Sequence, residues 1–182
     1  MFFNSLNFAI FLPIVFIFYW FFSNNSKKNQ NLILILASYY FYSCWNWRFL
    51  FLLVFSTFLD YFTAIKIEEN EKKSMRKFWL WLSISINLGL LAVFKYYDFF
   101  AVSATEFING FGFHVEPILI KLILPVGISF YTFHGLSYII DIYYGRIKSE
   151  RNFVDYSLFV SYFPLLVAGP IERATHLLPQ LK

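Results

Sequence analysis

The chain has 182 residues, of which 59% are hydrophobic, 24% aromatic and only 14% charged. Its apolar residues come in long blocks, which excludes a soluble globular domain and points to an integral membrane protein. The formal net charge of +4 does not point to nucleic acid, because the Lys and Arg residues lie between the apolar blocks, where they act as topology signals, and no aromatic and basic stripe is present.

Residues 1–22, MFFNSLNFAIFLPIVFIFYWFF, open without a basic stretch and end without a small-residue cleavage site. They read as a retained first span and not as a signal peptide. Pro13 predicts a kink, and Trp20 an interfacial anchor. A polar loop over 23–30 carries Lys27 and Lys28. Residues 31–47 and 49–65 predict two spans joined by a tight turn at 46–48, because one helix of about 35 residues at 1.5 Å each overshoots a bilayer core of about 30 Å. Cys44, the single cysteine, excludes an intrachain disulfide and reads as a small apolar residue.

The third span places Ser56, Asp60 and Thr63 within about 60° of one another on a helical wheel. Asp60 is either a carboxylate bonded to a neighbouring helix or a functional group. Residues 66–77, KIEENEKKSMRK, predict a solvated loop of mixed charge. A fourth span over 78–94 carries Ser83 and Asn87 on one face and closes at Lys95, Tyr96 and Tyr97. Gly110 and Gly112 predict a loop over 98–116 with an interfacial helix, and His114 there reads as a surface group.

The stretch over 124–146, LPVGISFYTFHGLSYIIDIYYGR, organises the rest. Pro125 and Gly127 predict a broken or re-entrant entrance, followed by a helix from about Ser129. On that helix Tyr131, His134, Ser137, Tyr138 and Asp141 fall within an arc of about 120°, with Phe133, Leu136, Ile139 and Ile140 elsewhere. Titratable groups at membrane depth cost at least about 2.5 to 3.5 kcal/mol, so they face protein or a watery cavity. His134 and Asp141 lie about 10 Å apart along the axis, which permits a shared cavity but no direct bond. Asp141 sits at the negative end of its helix, so a partner such as Arg146 is expected.

A basic loop over 146–151 leads to Asn152 as an N-cap, with Asp155 as the first-turn acid of a sixth span over 153–168. Six crossings would place Lys27 and Lys28, 66–77 and 146–151 on one side, which the positive-inside rule makes cytoplasmic. The N-terminus is then outside. The expected fold is all-α: one polytopic membrane domain over 1–182, with about six transmembrane helices and one broken or re-entrant segment.

LPVGISFYTFHGLSYIIDIYYGR followed by FVDYSLFVSYFPLLVAGPIER, with ASYYFYSCWNWRFLFLLVFSTFLDYFTA before them, resembles the membrane-bound O-acyltransferase (MBOAT) family. The likeness is to its bacterial branch of alginate O-acetyltransferase membrane subunits and D-alanyl transfer proteins, and it covers nearly the whole chain. The resemblance implies helices around a tunnel in the bacterial cytoplasmic (inner) membrane. Through it an acyl group, such as acetyl or D-alanyl, passes from a cytoplasmic thioester, acetyl-CoA or acyl carrier protein, to a hydroxyl of an extracytoplasmic polysaccharide or cell-envelope polymer. It also implies a secreted or membrane-tethered acyltransferase partner, contact with membrane lipid, and no bound cofactor.

Members of this family are much longer, and their catalytic histidine lies in a later half that nothing here matches. The chain therefore reads as an N-terminal portion, inactive alone, with its catalytic residue expected beyond 182. His134 stands where many relatives carry Gln, and His176 lies in a loop-like stretch, so neither is taken as the base. The motif carries over Pro125, Gly127, Gly169 and Pro170 as structural positions, and Tyr131, Ser137, Tyr138, Asp141 and Arg173 as tunnel or substrate-path positions, with His134 a further candidate on the same polar face. No zinc-ligand cluster is present. The competing readings are a non-catalytic remnant or assembly subunit, and a transporter, which would predict an internal repeat that is not seen.

Overall fold

The computed structural model describes residues 3–22, 26–119, 123–170 and 172–181. Among them the regular structure is helical: α1 (Leu6–Ile17), a π-helical turn (Phe18–Phe22), α2 (Lys27–Glu69), α3 (Lys73–Asn109), α4 (Ile128–Tyr143), α5 (Phe153–Ser161), α6 (Phe163–Ala168) and α7 (Ala174–Leu181). The helices α2 and α3 are long and apolar enough to cross a membrane. Ser5 caps α1 by accepting from the Phe8 amide. Pro13 lies inside α1 and withholds the amide that would bond Ala9.

The predicted turn falls where the sequence places it. Asn46 leaves the helical region (φ −160°, ψ 112°), and its Oδ1 accepts from the Arg48 amide at 3.1 Å, so it N-caps a second arm, 47–69. The two arms are antiparallel. Asn31 donates to Asp155 on α5 at 2.7 Å, while Tyr61 packs on Phe153 and Tyr156 of the same helix with ring centroids 5.2 and 5.9 Å apart. Continuous helix would separate Asn31 from Tyr61 by about 45 Å. Both reach α5 because the chain doubles back.

Residues 66–77 are not an extended loop. Helix continues to Glu69 and resumes at Lys73. From there α3 runs antiparallel to the second arm, with Trp79 against Phe62 (5.7 Å) and Phe94 against Phe49 (6.2 Å). The fourth segment does not end at Lys95 either: α3 continues through 98–109, because that stretch contains no Gly or Pro and a charged residue does not stop a helix. Its 37 residues extend about 55 Å, and the last dozen overhang the turn at Asn46.

The entrance to α4 over 123–127 is irregular, and Gly127 adopts φ 77°, ahead of a helix that starts at Ile128. The expected sixth span departs most from the sequence reading. It is broken at Tyr162 (ψ 112°), one residue before the Phe163-Pro164 pair that opens α6, because Pro164 has no amide to continue the ladder and constrains the residue before it. The segment then returns. The Asn31 amide donates both to Asp155 near the start of α5 and to the Leu181 carbonyl at the end of α7, each at 2.7 Å. The run from α5 to α7 thus begins and ends at the same level and does not cross as one helix. His176, expected in a loop, lies in α7.

The main core packs Leu53, Ala64 and Ile67 of the second arm against Tyr138 and Ile139 of α4 and Tyr156 and Phe159 of α5. A smaller aromatic core joins Phe11, Phe41 and Phe163.

Three basic segments do gather at one end. Arg151 pairs with Glu69 (2.9 Å) and Glu68 (3.5 Å), and the Ser149 hydroxyl also bonds Glu68. Arg76 donates to the Tyr143 carbonyl at 2.7 Å. The hydrogen bond that Glu69 accepts holds the exposed Arg151 guanidinium above its ordinary pKa.

Candidate functional site

The two polar stripes of the second arm and of α3 meet. Asp60 is fully buried, and its Oδ1 accepts from Ser83 Oγ and Asn87 Nδ2, both at 2.7 Å. Ser56 donates to Asn87 Oδ1 at 2.6 Å. The Asn87 amide is thus oriented: its nitrogen faces the carboxylate and its oxygen the hydroxyl. Thr63 turns away and bonds the Leu59 and Asp60 carbonyls of its own helix.

The other carboxylate oxygen, Oδ2, has no hydrogen-bond partner and abuts Gly135 of α4, where any added Cβ would overlap it. Gly135 is therefore what lets α4 close over the clasp.

His134 precedes that glycine and is also fully buried. Its Nε2 accepts from the Glu172 amide at 3.1 Å, and its Nδ1 has no partner. The two parts of the sequence motif are in physical contact elsewhere too. A Cβ at Gly127 would overlap the Leu166 carbonyl, so the left-handed glycine gives α4 and α6 their close approach. Gly169 packs as closely on Leu165. Pro125 closes the entrance turn, its carbonyl accepting from Ile128 at 3.3 Å.

The structure separates the residues of the predicted polar arc. Tyr138 accepts from the Glu150 amide at 2.7 Å and packs on the tilted ring of Tyr156, with centroids 4.5 Å apart. Ser137 is half-buried and bonds the His134 carbonyl within its own helix. Asp141 is held at the far end by Arg146, the partner expected from charge, at 2.8 Å. The Arg146 amide also bonds the Asp141 carbonyl, and the Gly145 amide the Ile142 carbonyl, a Schellman closure with Gly145 at φ 72°. Asp141 and His134 therefore do not share a partner. Tyr131 is buried and its hydroxyl has no hydrogen bond; the hydroxyls of Tyr42 and Tyr156 are in the same condition.

Of the remaining positions, Arg173 and Pro170 are exposed. Glu172 forms an exposed pair with His176 at 3.2 Å. His114 is exposed, and Cys44 is free and exposed. Sequence reasoning missed Gly135, whose only signal is its place beside His134 on the polar face. Apart from this polar interior, a largely apolar groove of about 730 Å³ runs between α1 and the first arm of α2, 27–45. Among the described residues no three His, Cys, Asp or Glu side chains gather as metal ligands.

Long apolar helices closed around a buried polar clasp define a helical membrane protein. Its relatives narrow the class. The chain is 38% identical over 141 residues to the probable alginate O-acetylase AlgI of Pseudomonas aeruginosa, covering 76% of this chain and 27% of that protein. It is 38% identical over 141 residues to the same-named protein of Azotobacter vinelandii, covering 76% and 28%. It is 35% identical over 165 residues to the peptidoglycan O-acetyltransferase of Helicobacter pylori, covering 78% and 30%. The names of these relatives bear out the likeness to the membrane-bound O-acyltransferase family, and the chain spans under a third of the length of each of the three. No family model and no solved structure matches it.

Proposed function

We propose that this chain forms the front part of a membrane O-acyltransferase that moves an acyl group, such as acetyl or D-alanyl, from a cytoplasmic thioester to a hydroxyl of an extracytoplasmic polysaccharide or cell-envelope polymer. The observation that carries the reading is the similarity to proteins named for alginate and peptidoglycan O-acetylation. The donor is acetyl-CoA or an acyl carrier protein, and a secreted or membrane-tethered partner completes the transfer. A histidine outside this chain takes the proton of the acceptor hydroxyl, whose oxygen attacks the thioester carbonyl; the thiolate leaves and receives the proton. The polar interior described above positions and hydrates the passage.

Tyr131 is the cleanest probe of that interior. Its hydroxyl faces that of Tyr42 without an ordinary hydrogen bond, so Tyr131→Phe in the complete protein should change thermal stability little while lowering O-acyl transfer from radiolabelled thioester in membrane vesicles. Wild-type transfer by Tyr131→Phe removes Tyr131 from the substrate path. Asp141→Ala is a weaker probe, since it also releases Arg146.

The end carrying Lys27, Lys28 and Arg151 is taken as cytoplasmic in a bacterial inner membrane, with the N-terminus outside. Ser26 makes no side-chain cap bond, so a cysteine there is structurally harmless and, with the exposed Cys44 replaced by serine, should resist an impermeant thiol reagent in intact cells. Rapid labelling would reverse the orientation.

A further inference from the structure

We infer that a buried line of hydroxyls between the first arm of α2, α4 and α5 is a binding site for water, about two molecules that join Tyr39, Tyr42, Tyr131 and Ser157. The inference concerns the fold and does not rest on the acyl-transfer reading. Tyr39 and Tyr42 stand three residues apart on one face of the first arm, which spaces their side chains by about 5 to 6 Å. The Tyr42 hydroxyl faces that of Tyr131 on α4, and the Tyr39 hydroxyl faces Ser157 and Ser161 on α5. Three helices thus bring their hydroxyls to one narrow region at membrane depth.

Most of these oxygens are unsatisfied. The hydroxyls of Tyr39, Tyr42, Tyr131 and Ser157 are shielded from solvent yet make no ordinary hydrogen bond, and Tyr42, Tyr131 and Ser157 are no more than 3% exposed. Ser161 has already given its proton to the Ser157 carbonyl at 2.6 Å, so its oxygen is left as an acceptor. Each hydroxyl carries one donor and two acceptor sites; the oxygens therefore approach one another with both kinds of site unused. A buried water makes about three bonds to such groups, and one set between Tyr39 and Tyr42 spans their separation with two ordinary bonds of about 2.8 Å each. No charged side chain bonds any of the unsatisfied hydroxyls, which suits a neutral ligand. The backbone gives an independent sign: α5 ends at Ser161 and the chain breaks at Tyr162, beside the Tyr39 hydroxyl, and irregular backbone at this depth occurs where protein or a watery cavity surrounds it. The clasp is different, because Asp60 Oδ2 lies so close to Gly135 that even a Cβ would overlap it. Water therefore meets α4 on its α5 side, at Tyr131, about 18 Å from the end of the helix at Tyr143.

The test is radiolytic footprinting of the complete protein in lipid nanodiscs, where an X-ray pulse turns bound water into hydroxyl radicals and mass spectrometry reads the oxidised side chains. Tyr42 and Tyr131 should be oxidised several-fold faster than Tyr138, a fully buried tyrosine whose hydroxyl is bonded to the Glu150 amide. Their labelling should persist when a scavenger in the bulk solvent suppresses radicals formed there. Tyr39→Phe with Ser157→Ala, which deletes half of the unsatisfied hydroxyls, should lower the labelling of Tyr42 and Tyr131 toward that of Tyr138. The first two readings need no variant. Oxidation of Tyr42 and Tyr131 at the Tyr138 rate, labelling that the scavenger removes, or labelling that the double variant leaves unchanged would each overturn the assignment.

Discussion

Replacing Gly135 by Ala should be among the most damaging single-methyl changes in this chain. The new methyl would stand 2.9 Å from Asp60 Cγ and closer still to Oδ2. α4 is pushed from the second arm of α2, and the carboxylate rotates and gives up the 2.7 Å bonds from Ser83 and Asn87. Overpacking a filled core costs about 1 to 3 kcal/mol, and each lost hydrogen bond about 1 kcal/mol. Alanine returns about 1 kcal/mol through its better helix propensity, which leaves a net loss of about 2 to 4 kcal/mol.

The assay is a double-mutant cycle on detergent-solubilised protein, with thermal unfolding read by size-exclusion chromatography. Asp60→Ala removes the atom that the methyl strikes, so Gly135→Ala should cost about 2 kcal/mol less in that background than in the wild type. Equal costs in both backgrounds would refute the claim that Gly135 exists to admit Asp60.

Two other substitutions probe the frame around the clasp. Asn46→Ala deletes the N-cap of the second arm and should lower stability by about 1 kcal/mol, with Asn46→Ser nearer wild type, measured by the same unfolding assay. His134→Leu strands the half-buried Glu172 amide at a cost of about 1 to 3 kcal/mol, whereas His134→Gln keeps an acceptor and should recover most of it. Failure of Gln to do better than Leu would mean that the histidine ring, and not its acceptor nitrogen, is what the site requires.

The polar groups of this fold were legible one helix at a time. Ser56 and Asp60 stand out on one wheel and Ser83 and Asn87 on another, because a carboxylate and an amide in apolar runs are costly. That they bond one another depends on the antiparallel register of α2 and α3, which periodicity does not encode. The turn at Asn46 was readable from length alone, and Arg146 as partner of Asp141 from charge. The overrun of α3 was not, because Lys95 and Asp98 look like a boundary while nothing there breaks a helix. The return of α5 to α7 toward Asn31 was hidden for a related reason: Pro164 and the Gly169-Pro170 pair are visible as breakers, but a breaker does not say which way the chain goes next. Gly135 was missed because its importance lies in a neighbour 75 positions away in the chain.

The overhang of α3 gives the molecule a lever. Asn87 grips Asp60 and Ser56 inside the bundle, and Asn109 lies on the same unbroken helix, about 33 Å further along it. A tilt that swings the free tip by about 3 Å turns the rod by only about 5°, yet the fulcrum is the residue whose amide sets the orientation of the buried carboxylate. Whatever pulls on the tip at one face of the protein therefore applies torque to a fully buried polar contact.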